Sequence, residues 1–190
     1  NWYYYDIRKD FSLNILKYVG THTETERKES IVNLGVHTAY ELLNGSFLPE
    51  MWVKKAVFCR HKAIGICDRN TMAACYNLQK QCKNAGIKYV FGYSLDFVFG
   101  ESKVGAKVYV QTQEGLRNLL RIQKAVMVDS EDQTIGFYEL CNFGKGNVLV
   151  LDKYSSEWIC NNEFPVNKFK ESFDNVFYQV DLTEFKAERI

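Results

Sequence analysis

The chain has 190 residues, enough for one domain with a real core, and its 46% hydrophobic and 25% charged content belongs to a folded globular protein rather than a disordered one. A formal net charge of +1 supplies no global field for nucleic acid, so contact with DNA would need a local patch or another domain. No stretch reaches the apolar length of a membrane span, and the start, Asn1-Trp2-Tyr3-Tyr4-Tyr5-Asp6, lacks the basic-then-apolar layout of a signal peptide; the reading is cytoplasmic, with no membrane partner.

Residues 1–33 are polar, aromatic at the start and charged through Glu24–Glu29, and read as an N-terminal extension whose Trp2–Tyr5 cluster packs onto the rest. From residue 34 to 190, short β-branched or aromatic runs alternate with helical patterns. The first strand is expected over Leu34–Thr38, and a helix opens at Pro49-Glu50 with Trp52, Val53, Ala56 and Val57 inward. Ala63–Cys67 is a continuous apolar run of the kind buried on both faces. A helix over about Thr71–Ala85 follows, with Ala74, Cys75, Leu78, Cys82 and Ala85 as its stripe and Gly86 as a left-handed cap.

Tyr89–Gly92 is the third strand, Gly100–Gly105 a glycine-bearing excursion and Lys107–Val110 the fourth strand. A helix then carries Leu116, Leu119 and Leu120, with Arg117, Arg121 and Lys124 on one exposed face, usually just a solvated surface but also a candidate patch for DNA or a partner. Asn147–Leu151 and Phe177–Asp181 are the fifth and sixth strands, separated by short helical pieces near 137–143, 155–160 and 166–173. Gly144-Lys145-Gly146 is a turn, not a phosphate cradle. Such alternation implies right-handed crossovers and a mostly parallel sheet, either doubly wound or barrel-like. A closed parallel barrel needs at least one more unit, so the spacing predicts a piece of a longer protein.

None of the six cysteines (59, 67, 75, 82, 141, 160) forms a C-x-x-C pair, and they read as small buried hydrophobes in a reducing compartment.

In parallel α/β folds chemistry gathers at the C-terminal strand ends, which singles out His37, Asp68–Asn70 and Tyr93-Ser94. Gly35–Gly45 (GVHTAYELLNG) resembles the H-x-H-[ST]-x-[YF]-S-L-L-D-G opening of the polymerase-and-histidinol-phosphatase (PHP) domain, in the version found at the start of bacterial DNA polymerase III alpha subunits. Four blocks follow in the family's order. Val53–Ala56 resembles L-V-K-x-A, and Ala63–Met72 (AIGICDRNTM) resembles A-I-T-D-H-G-N-M. Asn84–Gly92 resembles K-A-G-I-K-P-I-I-G, and Glu114–Leu120 resembles E-G-Y-x-N-L-L. The resemblance covers residues 34–125 well and weakens towards Tyr178.

The resemblance implies a distorted parallel barrel of about seven strands, incomplete at its C-terminus, and a site where histidines and carboxylates hold two or three metal ions. Against that pattern Gly35 stands for a histidine, Asn44 for the aspartate of L-L-D-G, Arg69 for the histidine of D-H and Ser94 for a glutamate. Only His37 and Asp68 remain of six early ligand positions, as vestigial metal ligands, and Arg69 brings a fixed positive charge that would pair with Asp68 or a neighbouring acid. With no catalytic residue assigned, the expected role is a structural or docking domain of a DNA polymerase III alpha-type replication protein. No resident cofactor is implied, and DNA is met only indirectly. Its implied partners are the other domains of a DNA-directed DNA polymerase, or a proofreading exonuclease subunit. The alternative is a phosphoesterase or 3′–5′ exonuclease using Zn, Mn or Mg. His22 reads as a surface-loop residue and His61 as an exposed one.

Overall fold

Val36 and the alternating residues Ile64 and Ile66 bury themselves against one helical layer, and this pairing starts the sheet. The computed structural model describes residues 32–152, 154–155, 158–159 and 163–179. In chain order the elements are β1 (Asn33–Val36), α1 (Pro49–Phe58), β2 (Ala63–Arg69), α2 (Cys75–Ala85), β3 (Lys88–Phe99) and β4 (Ser102–Val110). They continue with α3 (Gln113–Met127), β5 (Thr134–Gly136), α4 (Phe137–Asn142), β6 (Asn147–Leu151), α5 (Val166–Ser172) and β7 (Asn175–Tyr178).

The strands form one curled half-barrel sheet of seven, ordered β1-β2-β3-β4-β6-β7, with β5 paired to β3. β1–β2, β2–β3, β3–β5 and β6–β7 are parallel, as the strand–helix alternation predicts, while β4 runs antiparallel to both its neighbours. The departure has a local cause. The expected excursion at Gly100–Gly105 is a tight turn at Gly100 (φ +60) that sends the chain straight back as β4. Leu95 and Phe97 turn into the core at every second residue on one arm, and Val104, Ala106 and Val108 do so on the other. Gly105 is a strand residue whose missing side chain admits the Asp152 carboxylate, which a Cβ would meet at 2.4 Å.

Other boundaries shift for equally local reasons. α2 begins at Cys75, four residues later than its periodicity suggests, because the Thr71 hydroxyl accepts the Ala73 N–H and holds 71–74 in a turn. Gly86 ends the helix in the left-handed conformation (φ +70), but Ala85 is exposed and leaves the stripe, as Val57 does in α1. The segment 155–160 and the end of the expected sixth strand lie partly outside the described residues. Residues 1–31, with the Trp2–Tyr5 cluster and His22, and Cys160 lie outside them altogether.

Two cores sit on the helix-covered side. The smaller packs α1 and α2 on β1 and β2. The larger packs α3, α4 and α5 on β3, β4 and β6 around Phe97, whose ring lies 5.4 Å from Phe169 and 6.2 Å from Phe137. Each such ring contributes about 1.5–3 kcal/mol by leaving water. The helices thus cover one sheet face and leave the ends of β1 and β2 open as the place for a site.

Candidate functional site

β1 delivers His37 and Thr38 just past its end, and β2 delivers Asp68 and Arg69 at its own. Between β1 and α1 the chain folds back tightly. Glu41 N–H donates to Thr38 O (2.9 Å), Gly45 N–H to Glu41 O (2.9 Å) and Ala39 N–H to Phe47 O (3.0 Å). That loop turns Glu41 inward, where it is buried.

Asp68 is buried, and both its oxygens are engaged by Thr38. The Thr38 N–H donates to Oδ1 and the Thr38 hydroxyl to Oδ2, each at 2.6 Å. Glu41 Oε2 lies 2.5 Å from His37 Nδ1 and accepts the Arg69 backbone N–H at 2.8 Å. Burial raises the Asp68 pKa; the two Thr38 bonds pull it back, the Glu41 charge raises it and His37 lowers it. Arg69 does pair with an acid, but with Asp96 of β3 rather than Asp68, through Nη2 at 2.5 Å from Oδ2. Lys103 approaches the same oxygen at 3.4 Å.

Of the residues singled out in the sequence, His37 and Asp68 meet and Arg69 adjoins them. Gly35 and Asn44 are exposed, and Ser94 is half-buried between Arg69 and Lys107 in the sheet register. Tyr93 is fully buried with no partner for its hydroxyl among the described residues. Arg117, Arg121 and Lys124 share an exposed face of α3. Leu120 joins it, Lys124 is met by Asp129 at 2.7 Å, and Arg121 donates to the neutral Asn118 side-chain oxygen at 3.1 Å. His61 is half-buried rather than exposed.

Glu41 was not among the residues picked from the sequence. Two signals point to it: it is four residues from His37, and it is the only acid or base carrying a formal charge between Ile31 and Pro49. Burial pushes the thiols of Cys67 and Cys75 up to about 12 and that of Cys82 up to about 11, so they are neither nucleophiles nor ligands near neutral pH.

One ligand atom from each of His37, Glu41 and Asp68 lies within 4.8 Å of the others. This mixed N/O set suits one cation. Both Asp68 oxygens also accept from Thr38, and the Arg69 side chain is turned to Asp96.

A half-barrel α/β sheet with acidic and imidazole groups at its first strand ends defines the class, a TIM-like barrel domain. The match to the PHP domain family runs over residues 33–177, and the chain belongs to that family. The DNA polymerase III subunit alpha of Staphylococcus aureus (strain Mu50) is 26% identical over 127 residues, and that of Halalkalibacterium halodurans is 24% identical over 129. Each alignment covers 67% of this chain but only 12% of the relative, so the chain spans a small part of those proteins. A Bifidobacterium adolescentis protein assigned as a metal-dependent phosphoesterase superposes with a TM-score of 0.51 at 10% identity, covering 76% of each chain, which shows a shared fold alone. Among the described residues no helix is long and apolar enough to cross a membrane.

Proposed function

We propose that this PHP domain is non-hydrolytic and serves a DNA polymerase III alpha-type replication protein as a structural and docking domain. The observation that carries the reading is the engagement of Asp68 and Arg69 by protein partners. Both oxygens of Asp68 accept from Thr38, and Arg69, which stands where the family pattern has a histidine, pairs with Asp96. Elemental analysis combined with an assay on phosphodiesters and single-stranded DNA, with Mn²⁺ or Zn²⁺ added, tests it. The expected result is substoichiometric metal and no hydrolysis above buffer. Stoichiometric metal with hydrolysis that His37→Ala abolishes overturns it.

The docking half rests on the loop above the pocket. Leu42 is 83% exposed, and Leu43 is fully exposed at φ +71, a conformation that a leucine adopts only under strain. Phe47, Leu48 and Met51 extend this apolar run. An exposed group of this kind suits contact with another polymerase domain or with a proofreading exonuclease subunit. Leu43→Asn relieves the strain, because asparagine tolerates positive φ, so thermal stability should hold or rise slightly. Association with the partner should weaken by about tenfold or more, as read in a pull-down titration. Undiminished association would remove the loop from the interface.

The second reading, a metal-dependent phosphoesterase or 3′–5′ exonuclease, is favoured by the grouping of His37, Glu41 and Asp68. The same assay decides between the two.

A further inference from the structure

The net charge of +1 conceals a segregation along the chain. Between Met51 and Leu95 the sequence holds eight Lys or Arg residues and a single acid, Asp68, which is buried. This stretch therefore carries +7 while the remainder of the chain carries −6. Arg69 is paired with Asp96; the other seven cations lie on α1, on α2 and on the chain just beyond each.

The fold gathers them on one surface. α1 and α2 lie side by side and point the same way. Glu50 Oε2 accepts from Asn77 Nδ2 at 3.2 Å across their first turns, and the Lys88 N–H donates to Lys62 O at 2.9 Å beyond their last. Each helix buries one stripe, Val53 and Ala56 in α1 and Cys75, Leu78 and Cys82 in α2. The outward stripes carry Lys54, Lys55 and Phe58 on one helix and Tyr76, Lys80 and Lys83 on the other, all exposed and three or four residues apart. Packed helices have axes about 8–10 Å apart, so the two rows run parallel within reach of one extended polymer. Tyr76 is 76% exposed and Phe58 64%, and Lys55 Nζ lies over the Phe58 ring at 5.3 Å from its centroid.

Helix ends do not account for so much charge. Each C-terminus presents about half a negative charge, which Lys55 and Lys83 in the two last turns answer. Lys54, Arg60, Lys62, Lys80 and Lys88 are left over, and no described carboxylate lies within ion-pair distance of any of them. Clustered cations without acids repel one another, and a bound polyanion relieves that repulsion. The α3 face differs, because Glu114 lies on the same helix and Asp129 meets Lys124 just beyond it. Exposed rings between lysines suit bases that are free to stack, which a duplex does not offer. The surface is also remote from the His37–Glu41–Asp68 group. Lys62 precedes β2 and Asp68 lies near its far end, a strand length of roughly 20 Å.

We propose that the outward faces of α1 and α2 bind single-stranded DNA, with Lys54, Lys80 and Lys83 on its phosphates and Phe58 and Tyr76 against its bases. Phosphate and base contacts belong to any single strand; the choice of DNA rests on the replication-protein reading.

The test is fluorescence anisotropy of labelled oligo(dT) titrated with the 190-residue chain in EDTA at several NaCl concentrations, with oligo(rU) and an oligo(dA)·oligo(dT) duplex of equal length in parallel. Saturable binding that weakens with salt is expected, tightest for oligo(dT). Lys54→Gln, Lys80→Gln and Lys83→Gln together should lower the slope of log affinity against log salt by about 2, at about 0.7 per lost single-strand phosphate contact. The thermal midpoint of that variant should hold or rise as repulsion eases. Tyr76→Ala should weaken binding by about tenfold and leave the slope unchanged. Arg117→Gln with Arg121→Gln should bind as the parent does. Absent saturation, equal affinity for the duplex, or unchanged binding by the triple variant each overturns the proposal and leaves the docking reading, which the metal assay decides, intact. Polyglutamate that displaces the probe with the potency of unlabelled oligo(dT) overturns it too, and points to an acidic protein instead. Tighter binding of oligo(rU) overturns the assignment to DNA and the replication-protein reading with it.

Discussion

Gly45→Ala is expected to destabilise the domain by about 3 kcal/mol or more, a drop in thermal midpoint of roughly 6–12 °C for a chain of this size. A Cβ at this position would lie 1.5 Å from the Thr38 carbonyl oxygen and 2.4 Å from its carbon, with the Glu41 carbonyl oxygen at 3.1 Å. These are backbone atoms, so no side-chain rotation relieves the overlap. The loop must open, which removes the Gly45 N–H bond to Glu41 O and shifts Thr38, the residue that holds Asp68. Thermal denaturation measures the loss, and hydrogen exchange at the Thr38 amide locates it. Exchange there should accelerate more than exchange in α3. A midpoint within 2 °C of the parent, about the smallest shift that one kcal/mol would produce here, would show that the loop is not held this way.

The same loop shows where the sequence is readable and where it is not. Ala63–Cys67 and Asn147–Leu151 are runs with one interpretation, and both are strands in the expected places. The hairpin of β3 and β4 hides behind Gly100 and Gly105. Two glycines in six residues look like a loop, yet one makes the turn and the other makes room for Asp152, a contact 47 residues away that no local pattern encodes. β5 is three residues long, too short for any periodicity, and exists because the upper half of β3 has a free edge beyond β2. At the site, the end-of-strand rule located His37 and Asp68. Glu41 escaped because the family pattern carries a serine there. The partner of Arg69 escaped because Asp96 lies on another strand, 27 residues on, and only the parallel register of β2 and β3 brings the two together.

Asp68 provides the sharpest separation between a structural pocket and a metal pocket. Asp68→Ala leaves the Thr38 N–H and hydroxyl, both fully buried, without their acceptor. Each unpaired group costs about 1–3 kcal/mol, part of it offset by no longer burying a charge, so a net loss of about 2 kcal/mol is expected. Asp68→Asn behaves differently. Its oxygen still accepts the Thr38 N–H, and its amide can donate to the Thr38 hydroxyl oxygen, so the shape and both contacts persist.

The pH dependence carries a definite sign. Burial raises the folded-state pKa of Asp68. The aspartate's contribution to stability is therefore fully present below the ordinary carboxylate range and is lost as pH rises through the raised value. Asparagine does not titrate. The Asn variant should accordingly match the parent near pH 4, gain on it as pH rises, and be at least as stable at pH 7–8. Denaturant unfolding of parent, Asn and Ala variants across pH 4–8 measures this. If Asp68 instead serves a cation, adding Mn²⁺ or Zn²⁺ should stabilise the parent and leave the Asn variant behind at pH 7. An Asp68 engaged only by protein partners predicts no metal-dependent gap between them.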